Sequence, residues 1–213
     1  MKVLRLFILY MVLMAMLPVC AQNFDVNATQ TINSWDVHGF SKTLSATAVI
    51  MPASVPTVMA VVAFIKEDKN MLKNALYIGT TVVEAIGVSY SLKQLTNRMR
   101  PYEMYPDKIT PYGHISNRSS FPSDHTAAAF SLATAMSVNY PKWYVITPSA
   151  IWASGVGLAR INQGAHYPSD VLVGAAIGVG CGFANIYINR WLNKILFKSP
   201  SSRNLKNSCK KHE

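Results

Sequence analysis

LSATAVIMPASVPTVMAVVAFI, residues 44–65, runs for 22 positions without a charge. As a helix it reaches ~33 Å at ~1.5 Å per residue, enough for a hydrocarbon core of ~30 Å. Pro52 and Pro56 within it are tolerable kinks where neighbouring helices re-satisfy the backbone. Outward from this stretch the pattern recurs. Asn74–Leu92 carries one acid, Glu84, while Trp143–Ala159 and Val171–Asn189 carry no charge. Thr126–Val138, rich in Ala, Ser and Thr, is too short to span alone, so its helix must include polar flanks that face protein. Small residues there, and Gly174, Gly178 and Gly182 at four-residue spacing, favour close helix packing. The expected fold is all-α: an integral membrane bundle of five core helices, preceded by a signal peptide or a sixth, anchoring helix.

Composition agrees. Of 213 residues, half are hydrophobic and 14% charged, against a soluble average of ~25% charged. Disorder and an ordinary cytosolic domain are excluded, and the length suits one domain. The net charge of +10 raises nucleic acid as a partner. The basic residues are separated by long uncharged runs, however, as in the loops of membrane proteins, so none is expected. Three cysteines, Cys20, Cys181 and Cys209, form neither a disulfide framework nor a metal-ligand pattern. Neither a metal nor a cofactor is expected, and no obligate protein partner is evident. There is no internal repeat.

Residues 1–21 carry Lys2 and Arg5, an apolar core from Leu6 to Leu17, and the small-residue pattern Val19-Cys20-Ala21. That reads as a cleavable signal peptide, with a retained anchor as the alternative. Val19 is too large for a good lipoprotein box. Residues 22–43 then follow as an outward segment. Counting basic residues between the apolar runs puts thirteen on one side and seven on the other. The positive-inside rule assigns the thirteen, including Lys66, Lys69, Lys73, Lys142 and the tail 198–213, to the cytoplasm.

Three outward groups then share one membrane face. Lys93 to Pro101 follows the third apolar run; Phe121-Pro-Ser-Asp-His125 opens the fourth; Arg160 to Asp170 joins the fifth to the sixth. Two His, one Lys, two Arg and a Ser at one level suit a phosphate or similar oxyanion. Arg grips such a group bidentately and Lys as a point charge. Ser123 adds the free amides and dipole of a helix start.

Lys-x6-Arg-Pro, then Pro-Ser-x-His, then Arg-x5-His-x3-Asp resembles the three-part signature of the type-2 phosphatidic acid phosphatase family, which shares its site with vanadate-dependent haloperoxidases. The likeness covers roughly residues 44–190 and would make 44–197 a membrane-embedded phosphatase domain. It implies His166 as nucleophile, held by Asp170, with His125 as general acid and then base. Lys93, Arg100, Ser123 and Arg160 would hold the phosphate oxygens, with Asp124 beside them. A single His of this kind, met alone, is more often structural; the company of the others favours catalysis. Ala159 replaces a common Ser, and Asp124 stands where Gly is usual. Asp124 would point away within the first helical turn, or pair with a cation such as Arg98 or Arg118 and shape the entrance to the site. The first is favoured, because an acid near a helix start needs no further partner.

The implied function is hydrolysis of a lipid head-group phosphate at the periplasmic face of the cytoplasmic membrane. Lipid A phosphate ranks first by a small margin, then undecaprenyl diphosphate, phosphatidylglycerol phosphate and phosphatidate. The alternatives are a lipid phosphotransferase or haloperoxidase-type enzyme on the same site, and a non-catalytic phospholipid-binding protein. Outside the motif, His38 and His114 read as solvent-exposed, Glu84 as a buried structural hydrogen bond, and Trp143, Trp152, Tyr187 and Trp191 as interfacial anchors.

Overall fold

The computed structural model describes residues 22–113 and 119–196. The expected signal peptide, His114, Arg118 and the basic tail lie outside these residues, as do the side chains of 191–196. Seven helices follow in order: α1 Gln22–Asn33, α2 His38–Ile65, α3 Lys69–Thr96, α4 Pro101–Met104, α5 Asp124–Asn139, α6 Trp143–Asn162 and α7 Pro168–Leu196. No strand occurs among the described residues.

Local chemistry sets the ends. Asp68 caps α3, its carboxylate accepting from the amides of Asn70 (2.9 Å) and Met71 (3.0 Å). Asn97, in the left-handed region at φ 43°, ends it. Ser123 caps α5, and Pro168 takes the first position of α7. The helix α2 starts six residues before the uncharged run, because Lys42 and His38 occupy turns outside the apolar stretch without interrupting the backbone ladder.

Among the described residues three stretches are long and apolar enough to cross a membrane: His38–Ile65, Lys69–Met104 and Pro168–Arg190. Five core spans were expected; α5 and α6 fall short of this measure. For α5 the reason is its place. The helix α5 packs against α2, α3, α6 and α7 at once, so Ala127, Ala129, Ala133 and Ala135 are buried on its several sides. A helix covered all round needs no lipid-facing apolar surface. Its contact with α7 runs along the glycines anticipated from their spacing. A Cβ on Gly174 would lie 2.6 Å from the Ser123 carbonyl oxygen, and one on Gly178 only 2.5 Å from that of Ala127. Outward, α2 exposes Val49, Ile50, Val58, Val61 and Phe64, and α7 exposes Leu172 and Phe183.

A polar clamp ties α3 to α7 deep in the bundle. The Asn185 amide donates to the Tyr77 carbonyl (2.9 Å), Thr80 (2.8 Å) and Thr81 (2.6 Å), and the Tyr77 hydroxyl donates to the Gly182 carbonyl (2.5 Å). Trp152 is also turned inward, its indole N–H bonding Thr47 at 2.9 Å, and is no interfacial anchor. Trp143 (78% exposed) and Tyr187 do face outward.

Candidate active site

Antiparallel helices deliver the signature residues to one end of the bundle. Lys93 sits in the last turn of α3 and Arg160 in that of α6; Ser123 begins α5, and Asp170 lies in the first turn of α7. Arg100 precedes α4, and His166 occupies the link from α6 to α7. That link turns at Gly164, φ 70°, where a Cβ would stand 2.8 Å from Ile109 and 3.0 Å from the Thr110 carbonyl. Only glycine fits the turn.

His166 is buried. Its Nδ1 lies 2.7 Å from the Ser120 carbonyl oxygen, which can only accept, so Nδ1 carries the proton and Nε2 keeps its lone pair. Nε2 stands 3.5 Å from the Arg100 guanidinium. Burial, then Arg160, Arg100, Lys93 and His125, depress the proton affinity of His166 well below the ordinary histidine value. The imidazole is therefore neutral, with a free nitrogen aimed among cations. The expected Asp170 partner is corrected: its Oδ2 is 3.7 Å from Nδ1, and it accepts instead from the Ser120 hydroxyl and the Tyr167 amide (2.9 Å). Asp170 thus holds the strand of chain that holds His166.

Lys93 donates to the Ser119 carbonyl at 2.7 Å, Arg100 to the Ala165 carbonyl at 2.8 Å, and Arg160 to Gln163 at 2.6 Å. The Gln163 amide in turn bonds the Ser41 carbonyl. The Arg160 Nε is buried without a hydrogen-bond partner among the described residues. Three buried cations held mainly by neutral oxygens form a site that gains by taking up an anion. The Ser123 hydroxyl is turned into the cap of α5, 2.9 Å from the Thr126 hydroxyl, so what this helix start offers an anion is its first free amides.

Asp124 combines the two arrangements expected of it: it sits in the first turn of α5, and the cation it pairs with is Lys93, at 3.4 Å. Beside it, half-buried His125 opens on a cavity of about 960 Å³ lined by Asp124, His125, Pro52, Pro56, Gly79 and Val83 among others. The cavity runs between α2 and α3, is walled mainly by apolar side chains, and reaches Asn185 on α7. Glu84 also lines it and makes no hydrogen bond or ion pair among the described residues, contrary to the structural bond expected. His38 is not solvent-exposed either: it stacks on Tyr112 with centroids 3.5 Å apart and meets Asn162 at 3.2 Å.

Sequence reading missed the layer behind His166. Arg98 bridges Asp170 (2.5 Å), Ser169 (2.8 Å) and Asp25 of α1 (2.9 Å). Ser120 and Asn162 belong to the same layer, the latter holding α1 through the Ile32 carbonyl at 2.7 Å. Such residues give little sign in sequence; only the clustering of Arg98 with Arg100 hinted at one of them.

The profile of the PAP2 superfamily matches residues 74–194, and the chain belongs to that superfamily. Similar proteins include a lipid A 1-phosphatase from Porphyromonas gingivalis, 35% identical over 46% of this chain and 21% of the relative. Another is the undecaprenyl-diphosphatase BcrC of Bacillus subtilis, 32% identical over 52% of this chain and 55% of the relative. The first curated relatives are thus matched over less than half of their own lengths. Among solved structures, Aquifex aeolicus LpxE superposes with a TM-score of 0.63 at 26% identity, covering 77% of this chain and 95% of that one. A transmembrane PAP2-type phosphatidylglycerolphosphate phosphatase from Bacillus subtilis superposes with a TM-score of 0.65, over 89% of this chain and 97% of that one, at 20% identity, which speaks for the fold alone. The chain is an all-helical integral membrane protein.

Proposed function

We propose that the protein is a lipid phosphatase that hydrolyses a head-group phosphate through a phosphohistidine on His166. The observation carrying this reading is the neutral His166, its Nε2 facing Arg100 in a cluster of buried cations. The Nε2 lone pair attacks phosphorus as the ester P–O bond breaks, and that electron pair leaves on the lipid oxygen. Burial and the nearby Arg160, Lys93 and Arg100 hold the pKa of His125 down to about 3, so the proton for the leaving oxygen enters on the phosphate monoanion and His125 relays it. His125 then takes a proton from water as water attacks phosphorus and the P–N bond breaks. Lys93, Arg100 and Arg160 neutralise the oxygens on which charge gathers, the work that a metal ion does in other phosphatases. The apolar cavity beside His125 would take the lipid chain, putting the scissile bond where the cavity meets the cations.

The proposed substrate is a lipid A phosphate, with undecaprenyl diphosphate second, then phosphatidylglycerol phosphate and phosphatidate. The names of the relatives support the first two. The proposed orientation, from the distribution of basic residues, puts the site at the periplasmic face of the cytoplasmic membrane and the C-terminus in the cytoplasm. Phosphate release by purified protein from a panel of these four lipids, with EDTA present, tests the reading. Release from lipid A phosphate ahead of the others is the expected result. Release from none would overturn the activity, and loss with EDTA would overturn catalysis by the cations alone.

A further inference from the structure

Asp25 lies on α1, outside the residues matched by the superfamily profile. Its side chain is 1% exposed. A carboxylate so deeply buried must be fully engaged to be tolerated, and it is. Oδ1 accepts from the Ser169 amide at 3.0 Å; Oδ2 accepts from the Ser169 hydroxyl and from Arg98 at 2.9 Å. The other arm of Arg98 grips Asp170 at 2.5 Å, and its guanidinium lies over the Tyr167 ring at 4.1 Å. Asp170 holds Ser120, whose carbonyl fixes His166 Nδ1. A chain of bonds, charge-assisted as far as the Ser120 hydroxyl and continued by the Ser120 carbonyl, therefore leads from α1 to the nitrogen opposite the attacking one.

We infer that Asp25 is a positioning residue for His166, acting through Arg98 and Asp170. The inference rests on His166 being the nucleophile of the proposed reaction. When Nε2 bonds phosphorus the imidazole turns cationic, and the negative charge of Asp170, 3.7 Å from Nδ1, stabilises it. Arg98 alone would cancel that charge. Shared with Asp25, Arg98 is divided between two carboxylates, so the trio keeps a net negative charge behind His166. The helix itself is seated independently at its other end, where the Asn33 amide donates to the carbonyls of Thr110 (2.9 Å) and Asn162 (2.8 Å). Loss of the Asp25 charge therefore need not undock α1.

The test uses the full chain in detergent and compares binding of inorganic phosphate with that of orthovanadate, which takes on five-coordinate geometry at an attacking nitrogen. Asp25→Asn should weaken vanadate binding about tenfold and phosphate binding by no more than about twofold, the pattern of a group felt mainly near the transition state. In Arg98→Gln, where the link is cut, adding Asp25→Asn should change vanadate binding little. Thr31→Ala, on an exposed face of α1, should match wild type. Wild-type behaviour of Asp25→Asn, equal weakening of both anions, or additivity with Arg98→Gln would each overturn the inference. Vanadate discrimination in a protein that releases phosphate from no lipid would sink the proposed function and leave the role of Asp25 standing. Wild-type protein that binds neither anion would overturn both.

Discussion

Two buried polar regions of this bundle are built from similar groups and left in different states. In the clamp between α3 and α7, the Asn185 amide, the Tyr77 hydroxyl and two threonines spend their donors on one another and on carbonyls, and only an amide oxygen is left over. At the end of the bundle where the signature residues meet, the Arg160 Nε has no hydrogen-bond partner among the described residues, and the His166 Nε2 lone pair has only a long contact, 3.5 Å, with the Arg100 guanidinium. Burial alone therefore does not mark a site. What marks it is a strong donor or base kept unspent at a cost in stability, because something else is to use it.

The sharpest break would come at His166. His166→Ala should leave folding and membrane insertion intact and lower turnover on the order of 10⁴-fold. Acid-quenched wild-type enzyme should hold a labile phosphohistidine that the variant lacks; substantial turnover in the variant would refute the assignment. Next comes the direct contrast of the two regions. Arg160→Gln should cost about 10²–10³-fold in kcat/KM with little loss of stability, whereas Tyr77→Phe, which removes the clamp's bond to the Gly182 carbonyl outside the cavity, should leave kcat near wild type and lower unfolding stability by roughly 1 kcal/mol. Reversed effects would erase the distinction drawn here.

Acidity gives a graded test. With its folded proton affinity held below the ordinary value, His166 stays neutral while the unfolded chain begins to bind a proton near pH 6.5. Stability from this group is therefore complete above pH 6.5 and declines as pH falls from there toward the lowered folded value. The same depression keeps the nucleophile usable, so the acid limb of kcat/KM that is due to His166 should lie below pH 6.5. A limb at 6.5 that vanished in a His166 variant would contradict the burial-driven shift. Asp124 should show the smallest effect. Its side chain is 42% exposed, so the pair with Lys93 is screened and weak. Asp124→Asn should free Lys93 for phosphate and lower KM by a few-fold at most; a folded but inactive variant would make the carboxylate part of the chemistry.

The signature residues were legible because charged groups stand out against an apolar chain, and because alternation of spans fixes which of them share a face. Lys93, Arg100, His125, Arg160 and His166 all meet as that logic requires. Asp25 was illegible. One acid in a polar segment has no period, and its partners Arg98 and Ser169 lie 73 and 144 residues away. Asp170 was read through its i+4 spacing to His166, which fixes proximity but not which acceptor wins Nδ1; the Ser120 carbonyl wins because the intervening loop brings it closer. Trp152 was misread for a related reason. Indole suits an interface and a buried hydroxyl partner equally well, and Thr47 lies 105 residues off.

The glycine seam between α5 and α7 sets a ruler as well as a contact. His125 rides on α5 and Asp170 on α7, and between them the backbones touch with no side chain to yield. A single methyl at Gly178 would have to push the helices apart, widening the gap that the two halves of the site must share. Over evolutionary drift, these positions should therefore resist change as stubbornly as reacting groups do, while contributing no chemistry at all.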